Sequence, residues 1–147
     1  MLGLDVGARR IGVAVSDPLG ITAQGLETIQ RKNKRTDYAQ LEAVIQKYEV
    51  TEIVVGYPLR LSGEVGIQAE KMTLFAEDLK KRFPIPVHLF DERLTSTEAN
   101  RILRESEIST EKRAKAVDRM AAVLILQAWM ETRSRRELRP MDPEPLI

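Results

Sequence analysis

An aspartate stands in the middle of an otherwise apolar N-terminal stretch, Leu2-Gly3-Leu4-Asp5-Val6-Gly7. A carboxylate there is expensive to bury without a partner. Read as a strand, the stretch alternates its side chains between two faces. Leu2, Leu4 and Val6 share one face; Gly3, Asp5 and Gly7 share the other. Asp5 is therefore flanked by residues with no side chain, which leaves room for a metal ion, a phosphate or a closely packed helix. The plainer alternative is an isolated charge at a strand end, or an acceptor within a turn.

A second carboxylate is equally out of place. Ala114, Asp118, Ala121, Ala122, Ile125 and Trp129 fall on one stripe at helical spacing, and every member but Asp118 is apolar. The alanines permit close approach to a surface of matching small residues. Gly3, Asp5 and Gly7, with Gly12, Ala14 and Ser16 of the next strand, offer one. A helix packed there would bring Asp118 toward Asp5, and two nearby carboxylates repel unless a cation lies between them.

Asp91-Glu92-Arg93 supplies a third candidate, directly after the apolar run Val87-His88-Leu89-Phe90. The carboxyl ends of parallel strands are where α/β sheets build their sites. Successive residues of an extended chain point opposite ways, so Asp91 and Glu92 do not readily serve one ion. Carboxylates on three elements, with no cysteine and one histidine in the chain, suit a hard divalent cation, Mg²⁺ or Mn²⁺. His88, inside an apolar run, reads as a packed core histidine rather than a ligand.

The elements that must position these groups follow from periodicity and turn chemistry. Three strands are expected at 2–6, 11–16 and about 25–29, joined by the turn 8–10 and by Asp17-Pro18-Leu19-Gly20. Their short connections make an antiparallel meander. The basic run Arg31-Lys32-Asn33-Lys34-Arg35 reads as a loop. Tyr38, Leu41, Val44, Ile45 and Tyr48 then recur at helical spacing. Ile53-Val54-Val55 is a buried strand, 59–65 a loop and 66–83 an amphipathic helix closed by Pro84 and Pro86. The strand 87–90 follows. Thr95-Ser96-Thr97-Glu98 is a capping box for a further helix. A last helix is expected over 111–136, with Ser109 or Thr110 as its cap. Strands separated by helices imply parallel pairing under covering helices. The sheet is thus mixed, in one domain over 1–138 with a disordered tail over 139–147.

Bulk properties narrow the function classes. A chain of 147 residues with 43% hydrophobic and 31% charged residues is an ordinary globular domain. No apolar run is long enough for a transmembrane helix, and the N-terminus lacks signal-peptide character. A cytoplasmic protein with no membrane partner is expected. Net charge is +1, so global basicity does not argue for nucleic acid. The clusters at 31–35, 80–82, 112–115 and 133–139 keep polyanion binding open.

These motifs resemble the YqgF/RuvX family, described as Holliday-junction resolvases and as pre-16S rRNA nucleases of the RNase H-like superfamily. The matching stretches are Gly3-Leu4-Asp5-Val6-Gly7 with Arg10-Ile11-Gly12-Val13-Ala14-Val15-Ser16-Asp17, then Ile53-Val54-Val55-Gly56-Tyr57-Pro58-Leu59. Asp91-Glu92-Arg93-Leu94-Thr95-Ser96 and Val117-Asp118-Arg119-Met120-Ala121-Ala122-Val123-Leu124-Ile125-Leu126 complete the set, and the likeness spans about residues 1–132.

The resemblance implies an α/β RNase H-like three-layer fold, with a five-stranded mixed sheet whose first three strands are antiparallel and which helices flank. It implies metal-dependent phosphodiester hydrolysis, with Asp5, Glu92 and Asp118 as catalytic residues and ligands of Mg²⁺ or Mn²⁺. Two cations roughly 4 Å apart would activate a water and stabilise the leaving oxygen. Many RNase H-like nucleases carry an acid at the end of the fourth strand. Here that place reads Val55-Gly56-Tyr57-Pro58, so Glu92 would substitute from the neighbouring strand. Arg10, Arg93, Lys112 and Arg113 would neutralise backbone phosphates.

The expected activity is a nuclease, in 5′-end processing of pre-16S rRNA, with structured RNA or branched DNA as partner. The alternatives are a Holliday-junction resolvase, an actin- or sugar-kinase-like ATP-binding protein, which also opens on Asp-x-Gly, and a binding module without catalysis. The second generally needs two such domains. The third sits poorly with three acids in place.

Overall fold

The computed structural model describes residues 1–7, 9–57, 67–91 and 111–138. Its strands are β1 (Leu2–Val6), β2 (Arg10–Ser16), β3 (Ala23–Gly25), β4 (Ile29–Gln30), β5 (Ile53–Tyr57) and β6 (Val87–Asp91). Its helices are α1 (Lys34–Lys47), α2 (Ile67–Arg82) and α3 (Glu111–Leu138). The sheet runs β3-β2-β1-β5-β6, with β4 also pairing to β2. β1–β2 and β2–β3 are antiparallel, while β1–β5 and β5–β6 are parallel. This is the mixed sheet expected from the element order, with one correction to the strand count.

The expected third strand over 25–29 is two short ladders, which makes six strands instead of five. Ala14 faces Gly25, but Ile11 faces Ile29. Three residues, Leu26 to Thr28, therefore span what Gly12 and Val13 span opposite. One extra residue in an antiparallel pair is a β-bulge, which bends the strand and frees a side chain from the ladder. Thr28 uses that freedom: its hydroxyl donates to the Lys115 carbonyl of α3 at 2.9 Å.

The basic run is also not a loop throughout. Lys34 and Arg35 already belong to α1, because Asn33 caps it, its side chain accepting from the Thr36 N–H at 2.9 Å. Asp37 in the first turn and Lys47 in the last suit the helix dipole. The helix of the 95–98 capping box and the 139–147 tail lie outside the described residues.

Two cores flank the sheet. On one face Leu2, Leu4, Ile11 and Val13 pack with Tyr38 and Leu41 of α1 and with Phe75 and Leu79 of α2. On the other, Ala14, Val54 and Phe90 pack with Ala122, Ile125, Leu126 and Met130 of α3. Leu2 and Leu4 are fully buried, and their in-line neighbours Gly3 and Asp5 face α3.

His88 departs from the core reading. It lies near the sheet edge with its side chain 35% exposed, its Nε2 2.8 Å from Glu52 Oε2 and its ring stacked on Trp129 at 4.7 Å. Arg133 closes the same cluster at 2.7 Å from Glu52. Burial pushes the Glu52 carboxyl upward, but hydrogen bonds and charge from Arg133 and His88 outweigh it and hold the group below its ordinary value. No described helix is long and apolar enough to cross a membrane.

Candidate active site

Asp5 lies near the carboxyl end of β1 with only 8% of its surface exposed. In the ladder it pairs with Gly12 of β2, so the two residues share a face. Directly over Gly12 runs the backbone of Asp118. A Cβ added at Gly12 would collide with the Asp118 carbonyl oxygen and lie 2.6 Å from its carbon. A Cβ added at Gly3 would meet Leu126 Cβ at 2.7 Å. The glycines of both strands thus let α3 settle against the sheet, and that settlement carries Asp118 to the cross-strand partner of Asp5.

The Asp118 side chain, 19% exposed, accepts a hydrogen bond from Arg10 Nε at 2.8 Å on Oδ2. Arg10 opens β2, two residues before Gly12, on the strand α3 covers. Its engagement in the structure is therefore with the Asp118 carboxylate, a pairing that spacing in the sequence does not reveal. A part-exposed pair of this kind is worth up to about 1 kcal/mol. Its larger consequence is orientation, since one carboxylate oxygen is fixed beside the sheet.

Of the third candidate, alternation along β6 sets the direction of Asp91. Val87 packs on the α1/α2 face, whereas Phe90 packs on Trp129 of α3, ring centroids 5.8 Å apart. Asp91 shares the parity of Val87 and so is directed away from the face that holds Asp5. Glu92 and Arg93 lie outside the described residues. Lys112 and Arg113 lie in α3, with side chains outside the described residues.

Among the described residues no group of three His, Cys, Asp or Glu could hold a metal ion. Asp5 and Asp118 bring hard oxygen donors from two elements to one face, a donor set suited to a divalent cation and not to a soft metal.

A mixed sheet with an antiparallel first half, a helix packed on its opening strands and acids at its carboxyl edge define an RNase H-like α/β protein. The solved structures agree at the level of fold. RuvC of T. thermophilus in complex with a Holliday junction substrate superposes with a TM-score of 0.53 at 14% identity, covering 90% of this chain and 94% of that one. The yeast mitochondrial Holliday junction resolvase Ydc2 superposes at 0.51 with 15% identity, covering 95% of this chain and 81% of that one.

The chain belongs to the RuvX family, described as Holliday junction resolvase, whose model matches residues 1–132. A relative from Koribacter versatilis, named "Putative pre-16S rRNA nuclease", is 61% identical over 142 residues, 97% of this chain and 93% of the relative. One of the same name from Clostridium acetobutylicum is 47% identical over 132 residues, 90% and 98% of the two chains.

Proposed function

We propose that this protein is a metal-dependent nuclease that hydrolyses phosphodiester bonds in the 5′-end processing of pre-16S rRNA. The observation that carries the reading is the placement of Asp118 over Gly12, the ladder partner of Asp5. The names of the relatives supply the substrate. Asp5 and Asp118 would hold Mg²⁺ or Mn²⁺ with Glu92, which the family resemblance favours over Asp91. Bound there, a divalent cation supplies Lewis acidity to the scissile phosphate and a nucleophilic water.

The protein's own residues do the rest. The buried Asp5 keeps its carboxylate fixed before substrate arrives, so little reorganisation is needed there at the reaction. Arg10, between a site acid and the surface, is placed to meet a backbone phosphate when it releases Asp118. Arg93, Lys112 and Arg113 remain proposed phosphate contacts. Cytoplasmic location follows from the rRNA substrate.

The second reading is cleavage of branched DNA, favoured by the family description. Incubation with Mn²⁺ of a 5′-extended 16S rRNA fragment and of a four-way DNA junction separates the two. The proposal expects cleavage of the RNA at its 5′ extension. Cleavage of the junction alone would reassign the substrate.

A further inference from the structure

At the same carboxyl edge of β1, on the opposite face from Asp5, lies a cavity of about 510 Å³. Its wall begins at Val6 and Gly7, directly after the site strand, and continues over Arg31, Lys32, Lys34 and Lys71. We propose that this cavity binds the sugar-phosphate backbone of the nucleic-acid substrate away from the scissile bond. The inference rests on the nuclease reading and assigns it a second contact surface.

Charge is the first argument. Four cationic side chains line the cavity against one carboxylate, Asp37. That local excess of three stands in a chain whose whole net charge is +1. Asp37 is also turned inward, its side chain only 6% exposed. It accepts from the Lys32 backbone N–H at 2.9 Å and lies 3.7 Å from Arg31 Nε. The opening of the cavity therefore presents cations, not the acid.

Preorganisation is the second. Arg31 donates from Nη1 to the Gly7 carbonyl at 2.7 Å, and its guanidinium lies 5.9 Å from the Phe75 ring centroid. A fork held on three sides loses little freedom when it meets a phosphate. Lys32 and Lys71 are exposed and make no ion pair among the described residues. Lys34 pairs with Asp78 at 3.5 Å, but at 80% exposure that pair yields readily to a stronger anion. Lys32 and Lys71 therefore stand open to an anion at the rim, while Arg31 ties the end of β1 to the start of α1. Contacts of this kind fix position and carry no base sequence information.

The test uses the full chain with Asp5→Asn, so that bound substrate stays intact. Binding of labelled single-stranded RNA is followed by fluorescence anisotropy over a range of salt. Each lost phosphate contact lowers the slope of log affinity against log salt by about 0.7 on single strands. Lys32→Gln with Lys71→Gln should therefore flatten the slope by about 1.4, while Lys32→Arg with Lys71→Arg should restore it. An unchanged slope and affinity in the glutamine variant, with the parent still binding, would overturn the cavity and leave the nuclease reading standing. A parent that binds no RNA at any salt would overturn the substrate reading and the cavity with it.

Discussion

The backbone carbonyl of Asp118 rests on Gly12, with no space for a single methyl group between them. Because Gly12 is the ladder partner of Asp5, this one contact links the position of the helix acid to that of the strand acid. Gly12→Ala should therefore displace α3. Overpacking of this kind costs about 1–3 kcal/mol, read as a lower urea midpoint at unchanged slope. Cleavage should fall further than stability does. A variant of full stability and full activity would mean that α3 does not depend on this approach.

Ala121 and Ala122 are 2% and 0% exposed in the same interface. Ala121→Leu should likewise lose about 1–3 kcal/mol by overpacking. Asp118→Ala should behave in the opposite way. It removes only a part-exposed ion pair worth up to about 1 kcal/mol, yet should abolish cleavage. Equal losses of stability in the two variants would argue that Asp118 is structural.

On the proposed reading, Arg10 and a divalent cation would compete for Asp118. Removing the competing charge with Arg10→Gln should tighten Mn²⁺ binding several-fold while weakening RNA binding, measured separately by calorimetry and anisotropy. Weaker Mn²⁺ binding would show instead that Arg10 orients the carboxylate for the metal.

The Glu52 cluster gives a pH signature at the other end of the sheet. Its carboxyl is held below the ordinary value of 4.5, so its contribution to stability is present above that value and is lost as pH falls through the folded-state value. Glu52→Gln should remove that part of the acid sensitivity and flatten thermal stability against pH below about 5. An identical acid slope in the variant would place the titration elsewhere.

Much of this arrangement was legible in the sequence because it rests on side-chain size. Gly3, Gly12 and the alanines of α3 announced a close helix-on-sheet contact, and one acid on each surface announced what the contact brings together. Asp5 and Asp118 needed only strand alternation and helical spacing. The bulge at Leu26 to Thr28 was not legible. It depends on Thr28 leaving the ladder for a carbonyl of Lys115, 87 residues away. His88 departs from its local pattern for a similar reason: its partners Glu52 and Trp129 come from other elements, and local apolarity does not report them. Likewise Asn33 as a cap was hidden in a run whose charge suggested a loop.

On the proposed reading, Asp5 acts in metal-dependent hydrolysis of RNA. The most direct measurement is cleavage of a 5′-extended 16S rRNA fragment in Mn²⁺ by the unaltered protein and by Asp5→Asn, with folding of both checked by circular dichroism. Cleavage is expected from the first, none without the metal, and none from the folded variant. Cleavage by Asp5→Asn at the unaltered rate, or no cleavage by the unaltered protein, would contradict it.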